Sequence, residues 1–383
     1  MGRTTTDVHV VPVQSRGDLE AFIAFPFALY RNDPRWVAPL IGPQRHELDR
    51  GHAPFFDHGV ARYFLARRHH RVVGRISAHV DTRYNAFHAV EMPDQTGFWG
   101  FFECEDDIDV AFALFDAAAS WLREQGMVRM FGPASFTLNH VAGLLVDGFD
   151  TSPMPLMAYN PPYYERLVER AGFAKAQDLW AYRLDATAPI PEEIRTFAAT
   201  AEADGFTFRS MDKHRYWDEV ARFAEVYNEA WERNRGFVPM TADEIGALAK
   251  ELKPIIDPGL VFIAEKDGDV AAAGLTIPNV NEVLVDHRGR LGAVGTAQLL
   301  FRMRRHRFES CRVVALGVKR RFRQTGVGAH LYVDTMEAAR ARGFRWGEMS
   351  WILETNDAMN AGIRHMGGIV YKWYRMYARD TAH

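Results

Sequence analysis

The sequence predicts an α/β protein that consists of two tandem mixed-sheet units with helices on both faces. Its 383 residues suit two domains of about 190 residues each. With 48% hydrophobic and 25% charged residues, the composition is that of a globular protein rather than a disordered one. The same order of predicted strands and helices occurs twice, which indicates a duplication. A single large domain with chance similarity is the alternative.

A β-hairpin is the first element that the two halves share. Residues 64–66 and 72–74 are apolar runs that match residues 262–264 and 270–272 in order and spacing. Each pair of runs flanks a polar turn, and the second turn contains Asp267-Gly268, which is a strong hairpin signal.

A periodic helix that ends at a glycine follows each hairpin. These helices are predicted from Val110 to Gln125 before Gly126, and from Val327 to Arg342 before Gly343. Each half then closes with a further helix, a glycine and a strand, so each unit is predicted as β–α–β–β–β–α–β–α–β–β.

The repeat also predicts where the domains begin and end. We expect an N-terminal domain at residues 1–185 and a C-terminal domain at residues 196–383. The stretch between them, residues 186–195, contains Pro189 and Pro191 and is predicted as a linker.

A phosphate-binding loop is predicted in the second half. The apolar strand 313–318 runs into a basic loop, and Gly326 and Gly328 then open a helix. Glycines let backbone N–H groups approach an anion closely, and the positive end of the helix and Arg323 add charge. A turn that is merely closed by glycines is the alternative. Neither a Walker loop nor a dinucleotide fingerprint fits this spacing.

The matching position in the first half is acidic. Residues 103–109 read Glu-Cys-Glu-Asp-Asp-Ile-Asp. Carboxylates are good caps at a helix start, but they repel a pyrophosphate. The first domain is therefore predicted to be a degenerate copy that does not bind the cofactor.

These motifs resemble a known family. Arg323-x-x-Gly326-x-Gly328 after a strand that ends at Val318 resembles the acyl-CoA signature of the GNAT superfamily of N-acyltransferases. Other phrases resemble one tandem-repeat subgroup of it, the proteins similar to bacterial ceramide synthases. These phrases are residues 132–133, 143–150, 234–239, 351–356 and 371–375.

The resemblance implies an acyl-CoA co-substrate, either acetyl-CoA or a long-chain acyl-CoA, whose thioester enters between two splayed central strands. Backbone groups of Leu316 and Val318 would bind the pantetheine arm. The pyrophosphate would lie on the loop formed by Arg323, Gln324, Thr325, Gly326, Val327, Gly328 and Ala329.

Three residues are candidates for the chemistry, because attack of an amine on a thioester needs a proton acceptor and an oxyanion donor. Glu348 lies in an apolar strand and is either a base or a salt-bridged glutamate. Glu282 could reach the acceptor cleft or be a solvated loop carboxylate. Asn356 could touch the pantetheine or simply cap a helix. Ile363 occupies the position where many relatives carry a tyrosine acid, so the acid is unassigned.

The resemblance implies transfer of the acyl group to an amine, and its most specific form is a ceramide-type amide of a long-chain sphingoid base. Acetyl transfer to a small amine or a protein lysine is the alternative within the class. A non-catalytic acyl-CoA-binding sensor is the alternative outside it.

The remaining features predict a cytoplasmic protein, and with only two cysteines a disulfide framework is not the basis of its fold. Residues 299–308 are cationic and apolar together, and they could contact the inner face of a membrane or form an ordinary helix with a solvated basic face. One basic segment in a chain of net charge −3 does not predict nucleic-acid binding. No His/Cys/Asp spacing predicts a metal, and the oligomeric state is left open.

Overall fold

The fold is a mixed α/β fold, as the sequence predicts. The computed structural model describes residues 8–90, 95–232, 236–287, 289 and 293–382, so Asn234 and Arg235 of the subgroup phrase lie outside the described residues. The strands are β1 Val8–Pro12, β2 Gly59–Arg68, β3 Arg71–Asp81, β4 Thr96–Cys104, β5 Arg129–Gly132, β6 Ala134–Ser135, β7 Val141–Ala142, β8 Leu144–Asp147, β9 Ala174–Asp185, β10 Thr207–Ser210, β11 Val261–Lys266, β12 Asp269–Pro278, β13 Ser310–Val318, β14 Trp346–Leu353 and β15 Ile369–Asp380. The helices are α1 Arg16–Leu29, α2 Ile41–Glu47, α3 Thr82–Phe87, α4 Ile108–Glu124, α5 Tyr163–Arg170, α6 Glu192–Ala203, α7 Tyr216–Ala230, α8 Ala242–Leu252, α9 Asn281–Leu284, α10 Ala293–Arg305, α11 Val327–Ala341 and α12 Asp357–His365.

The chain forms two compact units that are not consecutive in sequence. The first unit comprises Met1–Asp178, Val283–Leu300 and Trp373–His383, and the second comprises Leu179–Glu282 and Phe301–Lys372. The long strands β9 and β15 therefore each begin in one unit and end in the other. The predicted domains, residues 1–185 and 196–383, describe the two repeats of the sequence rather than these compact units. They stay a prediction about the role of each copy. Helix α6 begins at Glu192, inside the segment predicted as a linker.

Two differences from the predicted order are common to both repeats. Two helices rather than one lie between the first strand and the hairpin, because α8 starts separately at a capping box formed by Thr241 and Glu244. The predicted final pair of strands is a single strand of 12 residues, β9 in the first repeat and β15 in the second.

In the first unit, β1 to β4 pair antiparallel and β4 pairs parallel with β5. Helices cover both faces of this sheet. Phe64 and Ala66 belong to the core cluster that includes α4, whereas their neighbours Tyr63 and Leu65 pack with Phe22 of α1. Because successive residues of a strand face opposite sides, α1 and α4 lie on opposite faces.

In the second unit, β10 to β13 pair antiparallel and β13 pairs parallel with β14. Ala272 packs with Leu331 of α11 and the adjacent Ala273 packs with Val226 of α7, so helices again cover both faces. The parallel pairing ends at Val313 and Met349, although both strands continue beyond that point. The splayed pair of central strands that the resemblance implies is therefore present.

The two repeats share the register of their third and fourth strands. Gly74 lies opposite Cys104 in the first unit, and Ala272 lies opposite Val318 in the second. Since residues 74 and 272 correspond in the repeated hairpin, Cys104 is the counterpart of Val318. By the same register, Glu103 is the counterpart of Gly317.

Candidate active site

Among the described residues, the N-terminus of α11 has no side-chain cap. Gly326 is its N-cap residue in the left-handed region, with φ of 76°, and Gln324 nearby has φ of 69°. The first N–H groups of a helix lack intrahelical partners, so those of Val327, Gly328 and Ala329 lie uncapped at the positive end of the helix.

The two glycines of the loop have different reasons for being glycine. A Cβ atom on Gly326 would lie 2.3 Å from the Phe197 carbonyl oxygen and 2.5 Å from the Thr200 hydroxyl oxygen of α6. A Cβ atom on Gly328 would meet only Val318, at 3.4 Å. Close packing against α6 thus requires a glycine at position 326. For Gly326 this favours the alternative given above, a turn that is merely closed by glycines. Gly328 keeps the start of the helix uncovered.

Arg323 lies in this loop, but its guanidinium is turned to backbone carbonyls. Its Nη2 donates to the Ala230 oxygen at the end of α7 over 2.7 Å, and its Nε lies 3.5 Å from the Val318 oxygen. Thr325 donates its hydroxyl to the Phe322 oxygen at 2.7 Å. Two further cations of the loop are paired, Lys319 with Glu225 and Arg321 with Asp269. Arg323 is exposed and has more N–H donors than these two contacts use.

Leu316 and Val318 present backbone groups to the gap between the splayed strands. The Lys319 N–H donates to the Ala271 oxygen of β12 at 2.9 Å. Successive residues of a strand direct their backbone groups to opposite edges. Leu316 and Val318 therefore direct theirs away from β12, to the edge from which β14 has diverged. An amide in this gap can pair with them.

Glu348 is fully buried within a polar network just before the strands diverge. Its Oε1 accepts a hydrogen bond of 2.6 Å from the Ser350 hydroxyl and lies 3.6 Å from the Arg312 Nε, and its Oε2 accepts one from Tyr371. Arg312 also donates to Ser350 at 3.1 Å. The carboxylate is thus salt-bridged and held by two hydroxyl groups, which compensates the loss of hydration.

Sequence reasoning missed the three partners of Glu348. Arg312 is the one that carried a signal, because an arginine inside an otherwise apolar strand needs a buried anion. Its register opposite Glu348 in the parallel pair follows from the fold. Tyr371 gave no such signal, since its hydroxyl reaches Glu348 from another strand.

Glu282 anchors the start of β13 and is not a solvated loop carboxylate. Its Oε1 accepts from the Ser310 N–H at 3.0 Å and the Ser310 hydroxyl at 2.6 Å. Its Oε2 accepts from the Glu309 N–H at 3.0 Å and contacts the His306 Nε2 at 3.1 Å. The structure supports a positioning role, and a role as base stays a prediction.

Asn356 is the N-cap of α12, and its side chain accepts from the Met359 N–H at 3.3 Å. The inward-facing amide of this helix is instead that of Asn360, which is buried and bonded to the Tyr182 hydroxyl at 3.0 Å. Ile363 is buried in the core with Met349, so the usual tyrosine position has no contact with solvent.

In the part of the chain that the structure describes, neither a metal-binding cluster nor a membrane-spanning helix occurs. No group of three or more His, Cys, Asp or Glu side chains there could hold a metal ion. No helix of that part is long and apolar enough to cross a bilayer.

The splayed parallel strands and the uncapped start of α11 define the class, which is that of the tandem GNAT-fold proteins. The same fold covers 98% of this chain and 98% of a tandem GNAT protein from the clavulanic acid biosynthesis pathway, with a TM-score of 0.56 and 13% identity. It also covers 98% of this chain and 96% of a GCN5-related N-acetyltransferase from Sphaerobacter thermophilus, with a TM-score of 0.52 and 13% identity. Enzymes of this class use an acyl-CoA and an amine acceptor.

Sequence comparison narrows the class to a family. The chain is 40% identical to the bacterial ceramide synthase of Caulobacter vibrioides, over 98% of each chain. It is 34% identical to protein YghO of Escherichia coli, over 96% of this chain and 94% of that protein. No family model matches it. The chain belongs to the bacterial ceramide synthase family and is an N-acyltransferase.

Proposed function

We propose that this enzyme transfers a long-chain acyl group from acyl-CoA to the amine of a sphingoid base and so forms a ceramide-type amide. The observation that carries the acyl-CoA part is the uncapped start of α11 beside the splayed strands β13 and β14. The choice of acceptor is supported by the 40% identity to the Caulobacter protein, whose name states ceramide synthesis.

In this proposal the pyrophosphate lies on the N–H groups of Val327, Gly328 and Ala329, and the pantetheine pairs with Leu316 and Val318. Arg323 would turn from the carbonyl oxygens it now contacts to a phosphate oxygen, which is the stronger, charged acceptor. The acyl thioester then lies near the end of the parallel pairing, one residue beyond Glu348.

Glu348 is the proposed base. The amine nitrogen attacks the thioester carbon, a C–N bond forms, the C–S bond breaks, and the ammonium proton passes to Glu348 directly or through the Tyr371 hydroxyl. Water protonates the leaving thiolate, which is a modest base. Glu282 holds the start of β13, and Asn356 fixes the start of α12, so both act on the shape of the site.

A steady-state assay with palmitoyl-CoA and sphinganine tests the proposal. We expect turnover in the wild type and its loss in Gly328→Asp, because a carboxylate at the helix start repels the pyrophosphate. Gly246→Asp is the matched control, since Gly246 is also a helical glycine of the second unit and a Cβ there meets nothing within 4 Å. Turnover with acetyl-CoA and a small amine or a lysine peptide, but not with sphinganine, would contradict the lipid acceptor. It would favour acetyl transfer to a small amine or a protein lysine instead.

The proposal includes contact of the enzyme with a membrane surface through the end of α10. Phe301 is 55% exposed, and Arg302, Arg304 and Arg305 are exposed around it. The Arg305 guanidinium carbon lies 4.3 Å from the Phe301 ring centre. An exposed aromatic ring among arginines suits an anionic lipid surface, where a long-chain acceptor resides. Leu299 is buried and contributes to the fold instead.

A further inference from the structure

We propose that the first unit contains a closed copy of the acyl-CoA site, sealed by its own side chains, so that each chain binds one acyl-CoA. The inference rests on the proposed acyl-CoA site of the second unit. It goes beyond it by assigning the groups that close the first copy.

The backbone of Cys104 occupies the place that Val318 has in the second unit. The register of β3 with β4 matches that of β12 with β13. The hydrogen bond from the Glu105 N–H to the Val73 oxygen, at 3.1 Å, matches the one from Lys319 to Ala271. Cys104 therefore directs its N–H and C=O to the gap between β4 and β5, as Val318 does between β13 and β14.

Two tyrosine hydroxyls fill this gap in the first unit. The Cys104 N–H donates to the Tyr164 hydroxyl oxygen at 2.7 Å, and the Tyr163 hydroxyl donates to the Cys104 carbonyl oxygen at 2.7 Å. One acceptor and one donor are what a pantetheine amide offers to a strand edge. The tyrosines thus satisfy the groups that a bound pantetheine would satisfy in the second unit.

Both tyrosines come from the first turn of α5, which corresponds to α12 because each helix precedes the last strand of its repeat. Helix α12 has Ala358 and Met359 in its first turn, and neither carries a hydroxyl group. At the gap edge of β13, the Val318 carbonyl has the 3.5 Å contact with Arg323 described above.

Tyr164 is fixed in place by the half-buried carboxylate of Glu103. Its hydroxyl donates to Glu103 Oε2 at 2.7 Å, and the Tyr30 hydroxyl donates to the same oxygen at 2.7 Å. Burial raises the pKa of Tyr164 well above its ordinary value, with the Glu103 charge adding to the shift, so the phenol stays neutral and keeps its proton. The counterpart of Glu103 in the second unit is Gly317, which has no side chain to hold such a phenol.

The helix start that corresponds to the phosphate site is also occupied. Asp107 is the N-cap of α4, and its Oδ1 accepts from the N–H groups of Asp109 at 3.0 Å and Val110 at 3.5 Å. Its Oδ2 accepts from Arg68 at 2.7 Å. Burial opposes ionisation, but the hydrogen bond from Arg68 and those of the backbone lower the pKa of Asp107 overall. The carboxylate takes the place that an anionic ligand has at α11.

Calorimetric titration of the full chain with palmitoyl-CoA tests the closed copy. We expect one equivalent bound to the wild type and none to Gly328→Asp, with one equivalent retained in Gly246→Asp. Two equivalents in the wild type would overturn the closed copy alone. One equivalent left in Gly328→Asp would mean that the bound acyl-CoA lies elsewhere than at α11, and it would overturn the proposed site together with this inference. No binding to the wild type would overturn the proposed function and this inference with it.

Hydrogen exchange read by mass spectrometry locates the site independently. Addition of palmitoyl-CoA should slow exchange in the peptide that contains Val318 and leave the peptide that contains Cys104 as slow as before. In Tyr163→Phe the loss of one hydroxyl should lower the melting temperature but leave the acyl-CoA affinity unchanged. Ligand-dependent protection at Cys104, or a gain of binding in Tyr163→Phe, would contradict the inference.

Discussion

Glu348 combines two properties at the scale of a single residue, because the same carboxylate serves the fold and the proposed chemistry. Breaking a buried ion pair by removing one partner costs about 3–5 kcal/mol, and loss of a general base lowers turnover by about 10²–10⁴-fold. A variant of Glu348 alone therefore cannot separate the two roles. Its partner Tyr371 can, because loss of one hydrogen bond to a charged group costs less than loss of the ion pair, about 1.5–3 kcal/mol of stability.

We expect Tyr371→Phe to lower kcat by tenfold or more while the KM for acyl-CoA is unchanged, and Glu348→Gln to lower kcat further. Steady-state kinetics with palmitoyl-CoA and sphinganine measure both. Calorimetric binding of acyl-CoA controls for the fold of each variant. Full activity of Tyr371→Phe would show that its hydroxyl is not part of the proton path. Full activity of Glu348→Gln would show that Glu348 is not the base.

His79 makes the stability of the first unit depend on pH. The side chain is fully buried, its Nε2 lies 2.7 Å from the Phe136 carbonyl oxygen, and burial lowers its pKa to about 4. The pKa of a histidine in the unfolded chain is about 6.5. Between about pH 4 and pH 6.5 the unfolded state therefore binds more protons than the folded state does. The contribution is therefore complete above pH 6.5 and is lost as pH falls toward 4.

From this shift we expect the free energy of unfolding to fall by about 2 kcal/mol between pH 7 and pH 5 on account of His79. His79→Gln keeps a donor for the Phe136 oxygen but does not titrate. The free energy of unfolding of this variant should therefore fall by about 2 kcal/mol less than that of the wild type over the same pH range. Urea unfolding at the two pH values measures the difference. Equal losses in the two proteins would contradict the assignment.

The residue scale also shows what sequence could and could not predict. The sequence indicates Glu348 as a candidate because a carboxylate in an apolar strand is costly, and the same rule indicates Arg312. The contacts of Glu282 with Ser310 join residues that are 28 positions apart, and no local pattern encodes such a pairing. Asn356 fits its cap position, which propensity alone predicts.

At the scale of elements, the loop before α11 shows how one motif serves packing and binding. Gly326 has a positive φ and packs closely against α6, whereas a Cβ on Gly328 would make only an ordinary contact with Val318, at 3.4 Å. The sequence predicted the strand, loop and helix but assigned both glycines to the anion. The role of Gly326 depends on α6, which begins within the segment predicted as a linker, so it could not be derived locally.

We expect Gly326→Ala to destabilise the second unit more than Gly343→Ala does. Both glycines have similar positive φ angles, 76° and 81°, and an L-residue in this region costs about 1–2 kcal/mol. A Cβ on Gly343 meets nothing within 4 Å, whereas one on Gly326 collides with α6. Urea unfolding gives both values, and equal costs would show that α6 can move aside without penalty.

The end of α10 makes the membrane proposal testable without substrate. Each arginine near an anionic surface contributes about 1 kcal/mol, so Arg304→Glu with Arg305→Glu should abolish sedimentation with phosphatidylglycerol vesicles. Phe301→Ser should weaken it, and 1 M salt should release the wild type, because the Debye length falls to about 3 Å. Phe87→Ser is the matched control, since Phe87 is also exposed, at 42%. Wild-type protein that ignores anionic vesicles at low salt would contradict the proposal.

At the scale of the whole molecule, the duplication was visible in the sequence, but the composition of the compact units was not. The repeats gave the order of strands and helices and the acidic loop of the first copy. They did not show that residues 283–300 join the first unit or that β9 and β15 each pass from one unit to the other. The course of β9 and β15 depends on which distant strands they pair with, and an alternating apolar strand fits many sheet edges equally well.

One closed and one open copy also predict how the chain responds to its co-substrate. A ligand that binds only the folded state stabilises it by about 2.7 kcal/mol at a concentration of 100 Kd. Because the proposed open copy lies in the second unit, palmitoyl-CoA should raise the melting temperature of a transition that involves this unit in the wild type and in Gly246→Asp. In Gly328→Asp the ligand should leave it unchanged. Scanning calorimetry with and without ligand measures the shift. The backbone groups of Cys104 are already bonded to tyrosine hydroxyls, so the first copy should add no shift of its own. A ligand shift that persists in Gly328→Asp would therefore mean that the site lies elsewhere than at α11.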